Sequence, residues 1–121
     1  MMKKSALLFF FLMASVHGYS QRPVLSDQET VERAVIAEVD EVFASEDFTK
    51  KKNRKFPEVS GTMTVDIGVV QNGKVSTFFK AESDIRNIDF IDFMSQYILD
   101  HKFRFKLPKK QRYKIRHTLK F

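Results

Sequence analysis

His101 and His117, a scatter of carboxylates and a basic C-terminal strand carry most of the reactive chemistry in this chain. The chain has no cysteine, and its third histidine lies near the start. A structural zinc site needs four ligands, commonly thiolates and imidazoles, and two isolated histidines do not compose one. Each sits on the apolar side of its segment and reads as an edge-of-core residue. Glu82, Asp84, Asp89 and Asp92 lie close in sequence but lack the spacing of a calcium loop. Acids near a helix start are favoured by the helix dipole in any case. No metal and no cofactor is expected. Gly-x-Ser-x-Gly, phosphate-loop and His-Glu-x-x-His patterns are absent from the sequence, so no catalytic residue is assigned and the expectation is not an enzyme. The chemistry that is left is recognition.

The basic strand is the strongest feature of that kind. Over about 111–121, Tyr113, Ile115, His117, Leu119 and Phe121 alternate with Arg112, Lys114, Arg116, Thr118 and Lys120, giving a core face and a basic face. Those charges suit an acidic partner, and equally protect a sheet edge from aggregation. Charge is uneven along the whole chain: residues 22–47 carry a net −6 and residues 48–121 a net +10. Opposite signs can draw the two parts together or steer an acidic partner to the second.

The elements that position this strand follow from periodicity. Ser26-Asp27-Gln28-Glu29 reads as a capping box. Val31, Ala34, Val35, Val39, Val42 and Phe43 then recur at helical spacing, predicting a helix over roughly 27–45. The run KKKNRK at 50–55 reads as an exposed connector, with anionic lipid or nucleic acid as less favoured readings. A strand at about 61–70 places Met63, Val65, Ile67 and Val69 on one face. Asn72-Gly73 predicts a type I′ turn. The strand after it, about 74–81, is expected to put Val75, Thr77, Phe79 and Ala81 on one face. A second helix over about 88–101 turns Ile88, Phe90, Ile91, Met94, Tyr97, Ile98 and His101 to one side. Phe93 falls among its acids, either covered by the N-terminal helix or part of an interface. The order α-β-β-α-β predicts an α+β fold: a small three-stranded antiparallel sheet with helices on one face. The last strand is expected beside the first, leaving itself and the second strand as edges.

The front of the chain reads as an export signal. Lys3 and Lys4 precede an apolar run, Ala6–Val16, too short for the roughly 20 residues of a membrane span. Small residues favour a cut after Ser20, leaving Gln21 first. The expected organisation is a signal peptide at 1–20, an N-terminal helix and basic connector at 21–55, and an α+β domain at 56–121. The expected location is periplasmic or secreted, without an integral span after cleavage. With no cysteine for lipidation or a disulfide, the domain must hold by packing, and 10 of its 13 phenylalanines lie beyond the signal.

Residues 56–121 resemble the TonB C-terminal domain family. The resemblance rests on GTMTVDIGVVQNGKV, on the amphipathic helix, on Phe103-x-Phe105 where the family often has Trp-x-Phe, and on the basic strand ending in Phe. Here the domain reads as a short exported unit without a retained anchor or Pro-rich spacer. The resemblance implies an exported protein-binding module that captures an extended peptide by β-strand addition, as from an outer-membrane transporter or other envelope protein, and not nucleic acid. The implied edge comprises Phe56, Pro57, Arg112, Lys114, Arg116 and Thr118. Physical chemistry points the same way, because an unpaired strand offers a row of N–H and C=O groups. The alternatives are a structural or assembly protein that dimerises through the edge, and an inhibitor of a periplasmic enzyme.

Overall fold

Asp27 starts the first helix, α1 (Gln28–Ala44), by accepting the Thr30 amide at 3.0 Å and the Thr30 hydroxyl at 3.1 Å. The cap is therefore Asp27, one residue later than the expected Ser26. The structure is a computed structural model that describes residues 22–121. The expected signal peptide and its cleavage junction lie outside the described residues.

α1 buries Val31, Val35, Glu38 and Val39, a stripe at helical spacing. Ser45 then ends one helix and begins another. Its hydroxyl donates to the Val42 carbonyl at 2.7 Å and accepts the Phe48 amide at 3.2 Å. The second helix, α2 (Glu46–Lys55), contains the run expected to be an exposed connector. Two local causes and one set of tertiary contacts make it helical. Acids occupy its first turn and bases its last, matching the dipole. Asp47 pairs with Lys51 one turn on, at 3.2 Å. Phe48, 1% exposed, pins the helix to the core, while Lys51 and Lys55 lie over the rings of Tyr97 and Phe93. One aromatic anchor in ten residues is too sparse to register as periodicity.

The sheet has the order β2-β1-β3, all antiparallel, from β1 (Thr62–Val69), β2 (Val75–Ser83) and β3 (Tyr113–Lys120). The last strand pairs with the first, as expected. Met63, Val65, Ile67 and Val69 are buried beneath the helices, and Thr62, Thr64 and Asp66 face away from them. α3 (Ile88–Leu99) packs beside β2 and α1 beside β3, completing the α+β sandwich. Asn87 caps α3 by accepting the Phe90 amide at 3.0 Å. Phe90, Met94 and Ile98 are its buried residues, but Ile88 is 71% exposed and leaves the face expected to contain it.

Two local expectations are corrected. The turn after β1 is not type I′, because Gly73 has φ 78° while Asn72 does not have a positive φ. Bonds from Val70 N–H to the Lys74 carbonyl and from Gly73 N–H to the Val70 carbonyl close a three-residue loop with glycine last. A side chain at Gly73 would collide with the Phe105 carbonyl and the Arg22 guanidinium. The faces of β2 also differ from simple alternation. Gly68 opposes Thr77 and Val69 opposes Val75, so Ser76 is a bulge; Ala81 is skipped in the same way nearer the end. The bulge inverts the phase. Phe78, opposite Ile67, packs against the core, and Phe79 turns outward at 60% exposed.

Phe43, Phe48, Phe90 and Phe121 form a chain of edge-on and tilted contacts with centroids 4.9–6.1 Å apart. Phe103, Phe105 and Leu107 close the other end of the core at 1–3% exposed. No described helix is long and apolar enough to cross a membrane.

Candidate functional site

The two edges of the sheet are not equivalent, and β3 is the regular one. Its register runs unbroken from Tyr113, opposite Val69, to Lys120, opposite Thr62. Gly61 and Phe121 exchange both backbone bonds, at 3.1 and 2.8 Å, which sets the phase of the ladder. In an antiparallel pair, bonded and non-bonded positions alternate. Tyr113, Ile115, His117 and Leu119 therefore bond inward to β1. The amides and carbonyls of Lys114, Arg116, Thr118 and Lys120 point outward, and no described backbone group bonds to them across the loops. β2, by contrast, carries the bulges at Ser76 and Ala81, a usual device for disabling an edge.

Beside β3 runs a shallow groove of about 340 Å³, walled by Asp40, Phe43 and Ala44 of α1 and by His117 and Leu119. His117 Nε2 lies 2.7 Å from Asp40 Oδ1, tying strand to helix across the groove floor. A segment laid along β3 would place alternate side chains in this groove and on the basic outer face.

The side chains of the basic face are unequal. Arg116 grips Asp66 of β1 with two bonds, at 2.9 and 3.1 Å. Hydrogen bonding to Arg116 is the main reason the Asp66 carboxyl sits below its ordinary range, with the Arg116 and Lys114 charges adding to it. The same bond raises Arg116. Thr118 shares a hydroxyl hydrogen bond with Thr64 at 2.8 Å. Arg112 and Lys114 are exposed and form no ion pair among the described residues.

Phe56 and Pro57 were expected at the binding edge, and Phe93 either beneath the N-terminal helix or at an interface. Phe56 caps α2 and packs on Phe90 and Phe93 of α3, each 5.4 Å away, beneath the sheet; Pro57 is exposed in the turn after it. Phe93 stacks on Phe48 at 5.4 Å, so its cover comes from α2 and not from the long N-terminal helix. Of the six proposed edge residues, the structure brings Arg112, Lys114, Arg116 and Thr118 together.

A second groove, about 550 Å³, lies between the α1–α2 corner and α3. Its centre is Glu38, 6% exposed, which accepts the Arg104 amide at 3.1 and 3.2 Å and lies 3.0 Å from His101 Nε2. Arg104 also pairs with Glu41. Tyr97 donates to Asp47 at 2.6 Å, and burial with that bond raises the Tyr97 hydroxyl above its usual value. These contacts fasten the segment after α3 to α1, and α3 itself to α2 through Tyr97. Sequence reading missed Glu38, although an acid inside the stripe Val31-Val35-Glu38-Val39 was a signal that it has a buried partner. Among the described residues there is no cluster of three or more metal-ligating side chains.

In comparisons with known proteins, no family model matches this chain, and no curated protein and no solved structure matches it.

Proposed function

We propose that this protein is an exported, non-enzymatic binding module that captures an extended peptide by strand addition along β3, as a TonB C-terminal-like domain would. The observation that carries this reading is the difference between the edges: β2 is interrupted by two bulges, whereas β3 is in unbroken register with its outward groups free of other backbone. Affinity would come chiefly from those backbone groups, and selectivity from the groove beside α1 and from the basic face. The basic face favours an acidic peptide, such as a segment of an envelope protein or outer-membrane transporter. It disfavours a second copy of β3, which would bring Lys114, Arg116 and Lys120 against their own kind.

Proline substitution tests the backbone directly. The Lys114 and Thr118 amides point outward, so Lys114→Pro and Thr118→Pro remove donors for an added strand while sparing the ladder to β1. With acidic envelope-derived peptides as probes, titration by amide chemical shift should give binding to the wild type, with perturbations along β3, and loss of it in both variants. Unchanged affinity in the proline variants, or perturbations confined to β2, would refute strand addition here.

A further inference from the structure

One end of the molecule gathers cations from segments far apart in sequence. Residues 102–107 alternate strictly: Phe103, Phe105 and Leu107 are buried, while Lys102, Arg104 and Lys106 are exposed. Lys102 bridges antiparallel to Lys74, and Lys106 bridges parallel to Val24. The Leu107 amide donates to the Gln71 carbonyl at 2.9 Å, and the Lys110 amide donates to the Gln71 side chain at 3.1 Å. These bonds collect Lys74, Lys102, Lys106, Lys109 and Lys110 around the β1–β2 turn. All five are exposed, and none is in an ion pair among the described residues. Residues 67–81 and 101–121 contain no acid, the bordering acids in sequence being Asp66, Glu82 and Asp100, and Glu38 and Glu41 of α1 are engaged by Arg104. Lys74 directly opposite Lys102 is unfavourable in isolation, and an anionic neighbour would relieve it.

The same end exposes aliphatic surface. Val24 is 60% exposed and Pro23 is exposed, in the strap that Lys106 holds. We propose that this end docks on an anionic bilayer surface, its lysines meeting lipid phosphates and Pro23-Val24 entering the interface. A bilayer suits these residues better than a nucleic acid does. The aromatics of the segment, Phe103 and Phe105, are buried, so no stacking platform is offered. Membrane attraction needs only a cluster of charges near the surface, without bidentate geometry.

The test is co-sedimentation of the processed chain, beginning at Gln21, with phosphatidylcholine vesicles, with and without phosphatidylglycerol, over a range of salt. Binding should require phosphatidylglycerol and weaken as salt rises. At about 1 kcal/mol per lysine near an anionic surface, the triple variant Lys102→Gln, Lys106→Gln, Lys109→Gln should lose roughly 100-fold in partition. The Lys→Arg triple should retain binding, which separates lost charge from lost fold. A control pair of exposed residues on α2, at the opposite end of the sheet, Lys50→Gln with Arg54→Gln, should leave partition unchanged. Equal binding to both vesicles, a salt-insensitive partition, or loss in the α2 pair but not in the triple variant would overturn the proposal. So would tighter binding to duplex DNA than to the anionic vesicles at the same salt.

Discussion

Asp66 and Arg116 show how one pair can serve both stability and presentation. The pair spans β1 and β3 on the uncovered face and ties Arg116 to Asp66 beside the outer edge. Because the folded carboxyl titrates below its ordinary 3.8, its contribution is present above that value and is lost as pH falls through the lower folded value. Asp66→Asn should therefore be less stable than the wild type at neutral pH, and the gap should close in acid. Urea unfolding at several pH values checks this; a gap that persists in acid would mean that the carboxylate charge is not its origin. The pair also decides how the basic edge is probed. Reversing Arg116 would set it against Asp66 and perturb the sheet, whereas Lys114 can be changed without touching an ion pair.

At the scale of elements, α2 shows what a single aromatic can do. The helix is polar over nearly its whole length, yet Phe48 sits among Phe43, Phe93, Tyr97 and Phe121 with centroids 4.9–6.1 Å away. Isolated ten-residue helices are marginal in water, so tertiary anchoring must supply what propensity does not. Phe48→Ala should cost about 3–5 kcal/mol and release α2. Hydrogen exchange should then show fast amides over 49–55 with those of β1 still protected. If α2 keeps its protection, capping by Ser45 and the Asp47–Lys51 pair are enough to hold it. The β2 bulges belong to this scale as well: by twisting one edge out of register, they leave β3 as the only described strand with a long regular edge.

For the whole molecule, acidic α1 lies against basic segments, through Glu38 and Glu41 with Arg104, and Asp40 hydrogen-bonds to His117. The charge asymmetry of the sequence is thus partly consumed within the fold. The remainder is displayed at the β1–β2 turn end and along β3. Self-association through β3 would align like charges, so the mass by light scattering should stay that of a monomer as concentration rises at low salt. A tight dimer that dissociates in the Lys114→Pro variant would instead favour the assembly reading of this edge.

How much of this was legible beforehand follows from the range of the forces involved. Alternation in the strands and helical spacing in α1 and α3 are local patterns, and they carried the α+β class, the strand order and the basic face of β3. The helical state of α2, the inverted faces of β2 and the burial of Glu38 depend on groups distant in sequence: Phe48 on Phe121, Ser76 on the register with Gly68, and Glu38 on the Arg104 amide. Phe56 and Pro57 were placed at the edge by resemblance, but Phe56 packs against Phe90 and Phe93 of α3. The basic strand was written in the sequence as alternation. Its standing as an unblocked edge, and the gathering of five lysines at one end, exist only once the long-range bonds close, because neither is a property of any one segment.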